Sequence, residues 1–214
     1  MPAQRTPPQD TEGPEQGRGP EPARLRRLLR YSHVFSAAVR EILEARYLGE
    51  VSPDPLTLPQ FHLLKLIALN GRHQVGEVAE FLGVSSPAAT KNIDKLERLG
   101  LVTRAPSEGD RRATLLSASQ RGHRLVRRYE RLKAERLAPV LSKFRPDEID
   151  QLARLLERFS VLLFERESPE DGYCLRCAAY CQERCPIGHV LGNCPYEKIR
   201  ARNRPGQRDA EGSR

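Results

Sequence analysis

The chain has 214 residues, of which 38% are hydrophobic, 30% charged and 6% aromatic, and it carries a formal net charge of +8. That is room for one ordinary domain with a small appendage, with enough chain to bury a core. It is too polar for lipid: apolar runs such as VLLF at 161–164 fall far short of the roughly 20 residues of a spanning helix. The opening MPAQRTPPQDTEG lacks the apolar stretch of a secretory signal, so a cytoplasmic, reducing setting with no membrane attachment is expected.

Residues 1–22 hold six of the 17 prolines and almost nothing apolar, which predicts a disordered N-terminal segment. From Ala23 to about Tyr47, three-and-four spacing of Leu25, Leu28, Leu29, Phe35, Val39, Ile42 and Leu43 predicts a long amphipathic helix. SPDPLTLP breaks it, and QFHLLKLIALN (60–70) predicts a second helix stopped by Gly71. A helix over 74–83, a turn at Gly83-Val84-Ser85 and a helix over 86–99 capped by Ser85 make a helix-turn-helix at 74–99. Two short strands, 101–104 and 112–117 around APSEGDR, make a wing at 101–117. Helices over 119–144 and 146 to about 167 complete a body spanning 23–167. Leu125, Tyr129, Leu132, Val140 and Leu141 are expected inside on the first, and Ile149, Leu152, Leu155, Leu156 and Phe159 on the second. The expected fold is mainly α with a small β-wing, a winged helix-turn-helix domain plus a helical dimerisation region. A cysteine-rich segment (168–200) and a disordered tail (201–214) follow.

In a helix-turn-helix the second helix enters the major groove with its N-terminal residues toward the bases. At 100° per residue, Ala89, Ile93, Leu96 and Leu99 share the inner side of 86–99, leaving Pro87, Thr90, Lys91, Asp94, Lys95 and Arg98 outward. Ser86 lies in the first turn, where a hydroxyl and free backbone N–H groups can meet a phosphate. Thr90 and Lys91 are the preferred base or phosphate contacts, and Lys95 and Arg98 suit the backbone contacts that set register. A merely solvated polar face is the alternative for each.

The sequence resembles the MarR family of winged-helix regulators through LTLPQFHLL (56–64), VAEFLGVSSPAATKNIDKLERLGLVTR (78–104), GDRRATLLSAS (109–119) with Gly122, and RPDEIDQLARLLERF (145–159). The resemblance implies a DNA-binding transcriptional regulator and not an enzyme. It implies a homodimer, with first and last helices packed together, on a pseudo-palindromic double-stranded DNA operator. It also implies that Asp110 and Arg112 brace the wing and present arginine to the minor groove, with Arg111 an adjacent candidate. Narrow minor grooves attract arginine electrostatically, so the chemistry fits. Members of the family often respond to aromatic acids, so a small-molecule effector is a further expectation, with no contact residue assigned. The chain departs from the family where Leu-Thr commonly precedes a charged pair and Gly: it has Ala118-Ser119-Gln120-Arg121-Gly122, in which Ser119 can still cap.

The positive charge lies largely away from the DNA-reading segment. Residues 74–119 are neutral, six cations against six carboxylates. The excess crowds the first helix (Arg24, Arg26, Arg27, Arg30) and the helix after the wing (Arg121, Arg124, Arg127, Arg128, Arg131, Lys133). These groups could widen the footprint on phosphate or simply face solvent.

All five cysteines, Cys174, Cys177, Cys181, Cys185 and Cys194, fall in one 21-residue window. An odd count in a reducing setting favours a metal or cluster over a disulfide framework. The spacing is similar to the bacterial ferredoxin run with one extra residue in the second gap, and Cys185 and Cys194 each precede proline. An iron-sulfur cluster, of the [4Fe-4S] type, is the leading expectation, with Cys177, Cys181, Cys185 and Cys194 the first choice of ligands and Cys174 nearly equal. It would sense redox state, oxygen, nitric oxide or iron. Structural zinc is the rival, and His189 is read as a bystander. An iron-sulfur redox protein is the remaining alternative; the chain has no GxGxxG, HExxH or GxSxG pattern to support it.

Overall fold

The computed structural model describes residues 21–71, 73–82, 84–106 and 114–167. Asp110, Arg111, Arg112 and all five cysteines lie outside them, as do residues 1–20 and 168–214, so the expectations for the two terminal segments do not meet the structure.

The first helix begins at Pro22, one residue earlier than expected, because a proline lacking an N–H costs nothing in a first turn. It runs unbroken to Val51, with α-helical ends α1 (Pro22–Ala38) and α2 (Tyr47–Val51) joined by a π-helical stretch, Val39–Arg46. The next helix, α3 (Leu58–Asn70), starts two residues before the expected position. Thr57 and Gln60 form a reciprocal capping box there, Gln60 N–H donating to Thr57 Oγ1 and Thr57 N–H to Gln60 Oε1. Gly71 ends the helix with φ 81 and ψ −128, a conformation open to glycine and costly for other residues.

A strand absent from the sequence reading follows. β1 (His73–Gln74) pairs antiparallel with β3 (Thr114–Ala118), which pairs with β2 (Val102–Pro106), giving the order β1-β3-β2. Register runs from Val102 opposite Ala118 to Pro106 opposite Thr114, and His73 lies opposite Leu116. Between these strands lie α4 (Val75–Leu82) and α5 (Ser86–Arg98). Two long helices, α6 (Gln120–Leu141) and α7 (Pro146–Arg166), close the described chain.

α3 is apolar nearly all round and sits at the centre, as such a helix must. Phe61, Leu63, Leu64, Leu66 and Ile67 are sealed from solvent together with Val78, Ile93, Leu96, Leu101 and Leu116. Tyr129 of α6 meets Phe61 edge-on, ring centres 4.6 Å apart, and its hydroxyl donates to the Leu43 carbonyl in the π-helical stretch. The ammonium groups of Lys65 and Lys133 lie 5.5 and 5.4 Å from the same ring and both pair with Glu130, at 2.6 and 2.5 Å. Burial pushes the Glu130 carboxyl up, but hydrogen bonds from Lys133 and Lys65 outweigh it and hold the carboxyl below its usual range. Lys133, counted among the cations that could reach phosphate, is therefore engaged inside the fold.

The apolar faces expected inside α1, α6 and α7 are only partly covered by this chain. Leu125 and Tyr129 are buried, whereas Val140, Leu141, Leu152, Leu155, Leu156 and Phe159 are exposed, and neither α1 nor α7 buries a residue. Helical spacing reports that a face is apolar but not which molecule covers it. Among the described residues no helix is long and apolar enough to cross a membrane.

Candidate nucleic-acid interface

The helix-turn-helix forms from α4 and α5, and the inner face of α5 is as its periodicity requires: Ala89, Ile93 and Leu96 are buried and Leu99 is half-buried. Ser85 occupies the N-cap position in extended conformation, yet its side chain makes no capping bond, contrary to expectation. Pro87 removes one of the two N–H groups such a cap would satisfy, and the Ser85 carbonyl accepts the first helical bond from Ala89 N–H at 3.0 Å. The first turn of α5 thus presents Ser86, Pro87 and Ala88 to solvent, with backbone donors that an anion could engage.

Lys91 and Arg98 are exposed along the outer face, and Lys95 and Thr90 are half-buried. The Thr90 hydroxyl donates to the Ser86 carbonyl at 2.8 Å, so in this rotamer its proton serves the helix and its lone pairs alone face outward. Arg98 donates from Nε to the Asp94 carbonyl at 3.3 Å, which steers its guanidinium along the helix. Asn92 connects α5 to α3 by accepting from Gln60 Nε2 at 3.5 Å.

Asp94, placed outward by the helical wheel, is turned toward the wing. Arg104, half-buried on β2, pairs through Nη2 with Asp94 and through Nη1 with Glu97 at 3.4 Å. Helical spacing gives Arg104 no role; its signal in the sequence is two carboxylates three residues apart on α5 and an arginine early in the following strand.

A second joint fixes α5 to α6. Gly100 takes φ 65, and Ser119 N–H and hydroxyl donate to the carbonyls of Leu101 and Gly100 at 2.9 and 2.6 Å. The same hydroxyl accepts from Gly122 N–H at 3.0 Å, so Ser119 does cap α6. Gly122 lies so close to the Leu101 carbonyl that any Cβ there would overlap it, which explains a glycine where a helix would otherwise disfavour one.

Of the flanking cations, Arg24, Arg26, Arg27 and Arg30 are exposed, Arg24 lying 3.6 Å from Glu21. On α6, Arg121 pairs with Asp54 at 2.7 Å, while Arg124, Arg127, Arg128 and Arg131 face solvent. Arg121, Arg124 and Arg128 border a hollow of about 280 Å³ with Leu101 and Leu125 in its wall.

The MarR family profile matches residues 56–114, the span from the approach to α3 through the wing. An uncharacterised HTH-type transcriptional regulator of Bacillus subtilis, YfiV, is 32% identical over 108 residues, covering 48% of this chain and 68% of the relative. The chain belongs to the MarR family. Among solved structures, a MarR family protein from Bacillus stearothermophilus superposes with a TM-score of 0.51 at 27% identity, covering 66% of this chain and 94% of that one. FabT of Streptococcus pneumoniae, solved in complex with DNA, reaches 0.55 at 23% identity over 67% of this chain and 99% of that one. As a MarR-family member the chain is a DNA-binding transcriptional regulator with a winged helix-turn-helix fold.

Proposed function

We propose that this regulator acts in the cytoplasm as a homodimer on a pseudo-palindromic operator, one α5 entering the major groove of each half-site through Ser86, Pro87, Thr90, Lys91, Lys95 and Arg98. The wing, with Asp110, Arg111 and Arg112, reaches the flanking minor groove. The uncovered apolar face of the outer helices carries the dimer reading. Leu25, Leu28 and Phe35 of α1 and Leu152, Leu155 and Phe159 of α7 all stand exposed, and a run of that size on two helices marks a protein interface. Selection of random duplexes with the purified protein is expected to enrich an inverted repeat with half-sites about one helical turn apart. Sedimentation equilibrium is expected to give a dimer that Phe159→Asp converts to a monomer with little operator affinity. A wild-type monomer that binds a single half-site would overturn the proposal.

The regulatory input is proposed to be an iron-sulfur cluster held by four of Cys174, Cys177, Cys181, Cys185 and Cys194, supported by their spacing in the sequence. A cluster that prefers one separation of the two α5 helices would shift the population able to bind DNA. Anaerobic purification with iron, acid-labile sulfide and zinc analysis tests it. A brown protein containing iron and sulfide supports the cluster, whereas stoichiometric zinc in a colourless protein assigns the segment a structural role. The second reading is a small-molecule effector, favoured by the hollow beside Arg124 and Arg128, whose guanidinium groups and apolar wall suit a small organic anion, Arg121 being paired with Asp54 in the same wall. If it is correct, such an anion weakens operator binding by the wild type and not by Arg124→Ala/Arg128→Ala.

A further inference from the structure

The helix read here as entering the groove carries carboxylates as well as cations, which is a poor arrangement for meeting a polyanion unless the negative charges are cancelled. Asp94 and Glu97 are three residues apart and share one side of α5. Their side chains remain 46% and 40% exposed, so they are not hidden from an approaching phosphate by burial. One guanidinium spans both: Arg104 meets Asp94 through Nη2 and Glu97 through Nη1, while its Nε is turned inward without an acceptor among the described residues. Arg98, the nearest cation along the helix, gives its Nε proton to the Asp94 backbone carbonyl and not to either carboxylate.

We propose that Arg104 is a positioning residue that serves as the internal counterion of the DNA-reading helix, shared between Asp94 and Glu97 and offsetting one of their two negative charges, so that Lys91, Lys95 and Arg98 outweigh what remains when they act on phosphate. This accounts for a reading segment whose cations and carboxylates balance: part of that balance is spent internally, and the exposed remainder on α5 is positive. The inference rests on α5 being the helix in the groove, and Lys91→Ala is the control for that reading.

The experiment titrates a labelled, selected operator duplex with the full-length protein at about 0.15 M salt, where exposed charges still act over about 8 Å. Lys91→Ala is expected to weaken binding; if it binds as wild type, the reading of α5 fails and this inference with it. With Lys91→Ala weakened, Arg104→Ala is expected to lose at least about tenfold in affinity. The variant Arg104→Ala/Asp94→Asn/Glu97→Gln is expected to recover to within about threefold of wild type, although it lacks the brace as fully as the single variant does. A purely structural brace, or a direct contact of Arg104 with phosphate, predicts no recovery, and that result overturns the proposal. If Arg104→Ala does not fold, Asp94→Asn/Glu97→Gln alone decides. Freed of its partners, Arg104 then adds positive charge, binding to random duplex rises and discrimination narrows; unchanged binding overturns the inference.

Discussion

The centre of this molecule and its outer helices are built from equally regular apolar spacing but end in opposite states. Around α3 the apolar residues are covered by the same chain except Leu69 near the helix end, and Leu66, Ile67, Ile93 and Leu96 have no exposed surface. On α7 the equally periodic Leu152, Leu155, Leu156 and Phe159 are only partly covered, and they remain about 40 to 55% exposed. Stability in the first region is therefore the property of one chain, and in the second, given the proposed dimer, it depends on concentration.

The most severe way to break that contrast is a core deletion. Ile67→Ala or Leu66→Ala is expected to lower the unfolding free energy by about 2–5 kcal/mol. Urea denaturation at two protein concentrations separates the regions: core variants should lose the same amount at both, whereas Leu155→Ala should lose more when dilute. Next, Gly122→Ala drives a methyl into the Leu101 carbonyl and should cost about 1–3 kcal/mol, against the gain of about 0.5–1 kcal/mol that alanine normally brings over glycine in a helix. His73 gives a smaller, pH-dependent effect. Burial lowers its imidazole from 6.5 to about 4, so the fold prefers the neutral ring. Stability from this group is full above the unfolded pKa and is lost as pH falls from about 6.5 toward 4. That loss is expected to be about 1 kcal/mol between pH 7 and 5.5, and His73→Leu should flatten it. Of similar size is Ser119→Ala, at about 0.5–2 kcal/mol, read from the midpoint of thermal unfolding. Equal losses at both protein concentrations for Leu155→Ala would falsify the division into self-sufficient and partner-dependent regions.

Legibility in the sequence followed the same division. Helix existence, the helix-turn-helix and the strands of the wing could be read because period and turn residues are local signals, and the inner face of α5 matched residue for residue. What could not be read depends on tertiary neighbours. β1 is two residues long and exists only because β3 offers it an edge. The continuation of the first helix through Gly49 to Val51 needs the packing of Leu48 and Val51 on the core. The roles of Arg104 and Gly122 depend on groups brought close only by the fold, and the disposition of the outer apolar faces depends on a molecule outside the chain. Of the candidate site, the residues of α5 were legible from a helical wheel, but the use of the Thr90 hydroxyl and the turning of Asp94 toward the wing were not.

The Ser119 joint has a mechanical consequence. Two hydrogen bonds from Ser119, to the carbonyls of Gly100 and Leu101, and the close approach of Gly122 to the Leu101 carbonyl key the base of α6 to the exit of α5. At 1.5 Å per residue, the 22 residues of α6 make a lever about 33 Å long. A tilt of about 5° at its far end, among the outer helices, carries α5 through about 3 Å, comparable with the rise of one base pair. Because Leu125, Val126 and Tyr129 of α6 share one core cluster with α3 and α5, such a tilt carries the core and α5 with it as a single body.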